Sequence, residues 1–323
     1  MVTLDDVRRA RETLAGVAYH TPLLPLYGAG GARAGWLKPE NFQPVGSFKL
    51  RGAYNRIASL SASERARGVI AYSTGNHAQG VAYAGRRLGI KTLIVMPDNA
   101  PAVKVEATRG YGAEVVLFDP ARERHDEVVE RLVREGGWIY VHPSDDPYVI
   151  AGQGTVGLEI YEDMPEVDLV LMPVGGGGLL SGVAASLKSL NPQVALVGVE
   201  PELAADARAS FRSGHIVEWP AAETSRTIAD GVRNTALGEV PFEHMREYVQ
   251  DIIAVSEAEI RSAMRHLALR SKLVVEPSAA LPVAALLYHS GELPEAENAV
   301  MILTGGNVDP LLLREIISDS PRP

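Results

Sequence analysis

The 323-residue chain contains no cysteine, which excludes disulfides, thiolate nucleophiles and cysteine-ligated zinc or iron–sulfur centres. No apolar run approaches 18 residues, so no transmembrane helix is expected. Basic residues number 31 against 40 acidic ones, for a net charge of -9. Nucleic acid needs clustered Lys and Arg, and that balance argues against it as a partner. The start, MVTLDDVRRARETL, reads as a capped amphipathic helix without an apolar signal core, so a cytoplasmic location is expected. Lysine itself is scarce, at only six of the 31 basic residues.

One of those six stands in Pro44-Val-Gly-Ser-Phe-Lys-Leu-Arg-Gly-Ala53. Arg serves almost everywhere else that a plain positive charge would do. Lys49 offers a primary amine that can lose its proton and act as a nucleophile. A solvated charge or a phosphate contact is the alternative that this stretch alone leaves open.

Short apolar runs recur at Gly68–Tyr72, Thr92–Met96, Glu114–Phe118, Leu169–Met172, Ala195–Val199 and Ala299–Leu303. Helix-like segments such as Gln79–Leu88 and Ala102–Tyr111 lie between them. This alternation predicts an α/β fold with parallel sheets. Several runs end in turns rich in glycine: Ser-Thr-Gly-Asn, Pro-Val-Gly-Gly-Gly-Gly and Thr-Gly-Gly-Asn. Ligands of open α/β sheets bind at the carboxyl ends of strands, so these turns are expected to converge on one site.

The run PVGGGGLLSG follows a strand and precedes an apolar helix, a setting in which backbone N–H groups cradle an anion. It has no Gly-Lys-Ser/Thr ending, and Ser181 stands where GxGxxG needs its third glycine, so neither common nucleotide motif fits. A tight turn is the structural alternative, but one turn rarely needs four consecutive glycines. STGNHAQG adds hydroxyls, an amide and backbone donors, and LTGGN adds the neutral hydroxyl of Thr304. An amine, a phosphate cradle without lysine, and a hydroxyl suit a phosphorylated aldehyde held as a Schiff base, and pyridoxal 5'-phosphate is such a cofactor.

At this point the chain resembles the fold-type II pyridoxal-phosphate enzymes, in the branch of threonine/serine dehydratases and serine racemases. The resemblance runs from His20 to Asp309 through GSFKLRGA, STGNHAQGVA, MPDNAP.VKV, AGQGTVGLEI, PVGGGGLLSG, TIADGV, VVEPSAA and LTGGNVD. It implies a two-lobed, tryptophan synthase beta-like architecture. Residues 1–59 and 148–323 would form a large cofactor-binding domain, and 60–147 a small mobile one. It implies that Lys49 carries the cofactor, that Phe48 packs beside it and that Asn76 bonds the 3'-oxygen. Gly175, Gly176, Gly177, Gly178 and Leu179 would hold the phosphate, and Thr304 would face the ring nitrogen. Ser73, Thr74, Gly75 and His77 would line the substrate-carboxylate loop. A homodimer acting on a small β-hydroxy amino acid is implied as well.

A hydroxyl rather than a carboxylate at the ring nitrogen makes the cofactor a weaker electron sink, which favours elimination over transamination. L-Threonine and L-serine are the expected substrates, giving 2-oxobutanoate or pyruvate plus ammonia. Serine racemisation and dehydration of 3-hydroxyaspartate or phenylserine are the alternatives, with β-replacement and a non-catalytic ligand-binding role behind them. The racemase branch carries a serine where this chain has Thr74, whose extra methyl restricts the hydroxyl and tilts the expectation toward elimination. Pro44-Val45 lacks a basic residue, and the stretch around Tyr27–Gly31 looks shortened, so nucleotide activation is not expected. A regulatory domain after Thr304, and with it control by isoleucine, is not expected either.

In VGVEPELAADA, the resemblance places Glu200, Asp206 and the Ala204 carbonyl at the family's divalent-cation position. Such a set suits Mg2+, Ca2+ or Mn2+. Solvated loop carboxylates are the plainer reading. His142, His215, His244 and His289 show no metal-ligand spacing, and there is no GxSxG elbow. Glu276 is either a carboxylate near the cofactor or a buried hydrogen-bonding group. Arg233 and the basic segment Arg122–Arg134 read as a solvated face.

Overall fold

A computed structural model describes residues 1–28, 34–100 and 102–318. Residues 29–31 of the shortened stretch, Pro101 of one motif and residues 319–323 lie outside the described residues.

Ten strands are present among the described residues: β1 Leu24–Pro25, β2 Ala34–Pro39, β3 Val69–Tyr72, β4 Thr92–Pro97, β5 Glu114–Phe118, β6 Ile139–Tyr140, β7 Leu169–Pro173, β8 Ala195–Pro201, β9 Asp251–Val255 and β10 Asn298–Leu303. All six runs expected as strands are strands. They form two sheets, ordered β1-β2-β10-β7-β8-β9 and β5-β4-β3-β6. Every pairing is parallel except β1 with β2. Parallel strands covered by helices on both faces are apolar throughout. β7 is accordingly buried along its whole length, with Leu169 and Leu171 fully enclosed.

Each sheet has one place where the strand order reverses. In the larger sheet it lies between β7 and β10, paired from Ala299 against Leu169 to Met301 against Leu171. In the smaller sheet it lies between β3 and β6. Crevices outside the carboxyl ends of strands at such switch points are where open α/β sheets bind ligands. Those ends carry Gly175–Gly178 and Thr304 in one sheet, and Ser73–His77 and His142–Asp146 in the other. The two crevices meet at the first turn of the helix Lys49–Ala58.

One close helix crossing, with two backbone contacts, seats that helix. A Cβ on Gly52 would lie 2.7 Å from the Val149 carbonyl oxygen, and one on Gly152 would lie 2.6 Å from the Arg51 carbonyl oxygen. The glycines of GSFKLRGA and AGQGTVG therefore let the helices Lys49–Ala58 and Pro147–Asp163 touch backbone to backbone. Asp146 caps the second helix by accepting from the Tyr148 and Val149 amides, which fixes the end of the loop that precedes it.

Candidate functional site

Lys49 opens its helix. Its Nζ donates to the Pro143 carbonyl at 2.7 Å and lies 5.2 Å from the centre of the Phe48 ring. Burial holds the amine down at about 8, against the upward pull of the Glu276 carboxylate. Desolvation penalises the ammonium form, so a usable fraction of Lys49 is neutral near physiological pH. The Phe48 N–H donates to the Thr304 carbonyl at 3.0 Å, and Ser47 bridges to Gly305. The end of β10 is thereby tied to the residues just before the lysine. The Thr304 side chain is buried.

The residue after Pro143 carries the site to the glycine loop. A Cβ on Gly176 would collide with the Ser144 hydroxyl, and one on Gly178 would lie 2.9 Å from the Ser144 Cα. A Cβ on Gly175 would lie 2.6 Å from Asn234 Oδ1. Gly177 has φ +82°, and a Cβ there would come within 2.6 Å of Pro241. All four glycines are thus demanded by packing, and Gly177 by backbone conformation as well. The helix Gly178–Leu190 starts here, and its first amides have no intrahelical acceptor. The loop is a crevice lined by backbone donors at a helix N-terminus, suited to a phosphate. Ser144 and Asn234 flank it and were missed in the sequence, because neither lies in a motif with a readable spacing.

The loop Ser73–His77 leads into the helix Asn76–Leu88. Ser73 and Thr74 are half-buried, the Gly75 amide donates to Ser73 Oγ at 3.1 Å, and the space beside Gly75 is open. Asn76 donates through Nδ2 to both Glu276 oxygens, at 2.8 and 3.0 Å, and accepts at Oδ1 from Asn307 Nδ2 at 2.8 Å. His77 goes elsewhere. Its imidazole is buried, Nε2 meets the Val141 carbonyl at 2.9 Å, and burial followed by the Lys49 charge pulls it down to about 3. Only its backbone remains on the loop.

Glu276 is brought beside Asn76 and Gly305, with a Cβ on Gly305 falling 2.6 Å from its Oε1. Burial raises its carboxyl to about 7 despite the Asn76 hydrogen bond. The surrounding ring is completed by Lys104, whose Nζ meets Asp230 Oδ2 at 2.5 Å and joins the helix Ala102–Gly110 to the segment Asp230–Val232.

Glu200 lies near the carboxyl end of β8, and Asp206 opens the helix that follows that strand. Glu200 accepts from the amides of Ala207, at 3.1 Å, and Arg208, at 2.8 Å, so it caps the helix Asp206–Ser213. Both Asp206 oxygens are buried and without a hydrogen-bond partner among the described residues. Burial raises both carboxyls, and for Glu200 the neighbouring Asp206 charge adds to it. No group of three or more His, Asp or Glu side chains converges among the described residues.

Comparison with known proteins bears on the whole chain. The family model described as pyridoxal-phosphate dependent enzyme matches residues 15–305. The L-threonine ammonia-lyase of Thermotoga maritima is 43% identical over 320 residues, covering 98% of this chain and 79% of the relative. The L-threo-3-hydroxyaspartate ammonia-lyase of Saccharomyces cerevisiae is 44% identical over 310 residues, covering 95% and 94%. The solved structure of maize serine racemase superposes with a TM-score of 0.92 at 36% identity, covering 97% of this chain and 96% of that one.

Proposed function

The chain belongs to the pyridoxal-phosphate dependent enzymes, and from that premise we propose that it converts L-threonine to 2-oxobutanoate and ammonia, and L-serine to pyruvate and ammonia. The observation that carries the reading is Lys49: a desolvated amine at about 8, joined through Pro143 and Ser144 to a crevice of backbone donors. The residues present fit the cofactor, since the glycine run packs without side chains against Ser144, Asn234 and Pro241 at a helix N-terminus whose first amides have no intrahelical acceptor.

When bound, the cofactor supplies an aldehyde for reversible carbon–nitrogen bonding and a ring that withdraws electrons. The rest falls to the protein. The amides from Gly175 to Leu179 hold the phosphate, Thr304 presents its hydroxyl to the ring nitrogen and Asn76 presents an N–H to the ring oxygen. Phe48 backs the ring. The first-turn amides of Asn76 and His77, with Ser73, Thr74 and Gly75, orient the substrate carboxylate. Lys49 Nζ, neutral once free, takes the substrate α-proton. Thr74 covers the opposite face, where its hindered hydroxyl disfavours returning a proton. Residues 60–147 move as a small lobe that closes on substrate and excludes water.

A divalent cation fits the second constellation: the two Asp206 oxygens lack donors, and hard oxygens of Glu200, Asp206 and the Ala204 carbonyl suit Mg2+, Ca2+ or Mn2+. Its role is stabilising, through binding the native state alone. A homodimer in the cytoplasm completes the reading. No helix is long and apolar enough to cross a membrane among the described residues.

The test is a panel of β-hydroxy amino acids assayed for oxo-acid and D-amino-acid products. L-Threonine and L-serine should give oxo acids fastest, and Lys49→Ala should abolish turnover. Faster oxo-acid release from 3-hydroxyaspartate, or D-serine forming faster than pyruvate, would replace the reading.

A further inference from the structure

The donor polarity of the chain Val45–Asn307–Asn76–Glu276 can be fixed from either end. At one end, Asn307 Nδ2 lies 2.9 Å from the Val45 carbonyl. A backbone carbonyl only accepts, so the Asn307 nitrogen must face that way. The same nitrogen lies 2.8 Å from Asn76, so Asn76 turns its oxygen toward Asn307. At the other end, Glu276 presents two carboxylate oxygens at 2.8 and 3.0 Å to Asn76. When Glu276 is ionised its oxygens only accept, so Asn76 turns its nitrogen there, the orientation that the Val45 end already fixes. Both ends are consistent with one orientation of the Asn76 amide, its nitrogen turned to Glu276 and its oxygen to Asn307.

The supports come from separate parts of the chain. Asn76 starts the helix Asn76–Leu88 beside the smaller sheet, Glu276 precedes the helix Pro277–Tyr288, and Asn307 follows β10. Glu276 is itself held, its N–H donating to the Gly305 carbonyl at 3.0 Å. An amide rotated by a half-turn would set its carbonyl against a carboxylate and its nitrogen against another nitrogen.

We propose that Glu276 and Asn307 are positioning residues that lock the Asn76 amide so that an N–H, never the carbonyl, faces the cofactor's ring oxygen. The proposal rests on the reading that Asn76 contacts that oxygen. An N–H there favours the ionised ring oxygen, so the lock sets both the affinity for the cofactor and the pH at which its bound absorption changes. Glu276 acts through Asn76 and takes no proton from substrate.

Pyridoxal 5'-phosphate titrated into apoprotein, followed by absorbance across pH and without substrate, tests this. Asn76→Ala should weaken binding by about five- to tenfold, the effect of one hydrogen bond, and move the absorption midpoint upward. Glu276→Ala should reproduce most of both changes, whereas Glu276→Gln, which keeps an acceptor for Asn76, should stay near wild type. Should Glu276→Ala fail to fold, Asn307→Leu reads the same amide from its oxygen side and should shift the midpoint the same way. A change with Asn76→Ala but not with Glu276→Ala or Asn307→Leu overturns the lock while sparing the Asn76 contact. A Gln variant that behaves like the Ala variant overturns it too, because charge rather than hydrogen bonding would then be at work. An unchanged spectrum in Asn76→Ala removes the contact itself, and the lock with it.

Discussion

Two buried groups of charges behave in opposite ways. Around Arg51, which is almost fully enclosed, the guanidinium spans Glu40 at 2.7 and 2.8 Å and Glu159 at 2.6 and 2.9 Å, with Thr155 Oγ1 and the Tyr19 carbonyl each 3.0 Å away. Lys38 Nζ, also fully buried, adds a 2.8 Å contact to Glu159. Burial works against the Arg51 charge, but Glu40 and Glu159 outweigh it and raise the group. Around Asp206 there are two carboxyls, an Arg208 charge that offsets only part of the cost of burying Glu200, and a pair of Asp206 oxygens without a partner among the described residues. Charges that match each other inside the protein hold elements together. The Asp206 oxygens have no such match among the described residues, so the first cluster reads as scaffold and the second is where the proposed cation can be tested.

The largest effect should come from removing one partner of the matched cluster. Arg51→Met leaves Glu40 and Glu159 in the interior with Lys38 as the remaining cation, and breaking a buried pair in this way costs about 3–5 kcal/mol. Arg51→Lys should fall between, because a single ammonium cannot fork to both carboxylates. Equilibrium denaturation ranks the three proteins. A Met variant as stable as the parent would mean that the cluster is replaceable by apolar packing.

The unmatched pair should respond to cations and to pH with a definite sign. A carboxyl raised in the folded state binds more protons there than in the unfolded chain, so stability falls as pH rises. For Asp206 the loss begins near its ordinary value and is complete above about 7. Added Mg2+ or Ca2+ should raise the melting temperature, and more at pH 8 than at pH 5, by binding the native state alone. Asp206→Asn should abolish that response and, without cation at pH 8, stabilise by roughly 1–3 kcal/mol through removal of an unsatisfied buried charge. A melting temperature indifferent to both ions at pH 8 would end the cation reading.

The same contrast explains what the sequence disclosed. Five of the six apolar runs were legible because strands buried on both faces need no polar alternation, whereas β5 is an apolar edge strand with Glu114 and Leu117 exposed. β9 was not named, since its run Ile252–Val255 continues directly into the helix capped by Ser256. β1 and β6, of two residues each, carry no period at all. Lys49 stood out because lysine is scarce in this chain, and the glycine run because consecutive glycines cost conformational entropy. The Arg51 cluster was silent because its members come from four separated segments and are individually ordinary. His77 was assigned to the substrate loop from its neighbours, yet its side chain follows burial into the interior.

The smallest effect belongs to the pair that lies between the two extremes. Lys104 and Asp230 are matched, at 2.5 Å, but keep 25% and 37% of their side chains in water. Water already stabilises both charges, so a double-mutant cycle on Lys104→Ala and Asp230→Ala should give a coupling of about 0.2–1 kcal/mol. Raising the salt should shrink it, as expected for charges reached by mobile ions. The pair joins the helix Ala102–Gly110 to the segment that borders the glycine crevice. The cycle should therefore be run with and without a substrate analogue. If the small lobe closes, the bound protein shields the pair, and the coupling should grow and lose its salt dependence. A coupling that stays under about 1 kcal/mol and salt-sensitive in both states would place the pair on a surface that never closes.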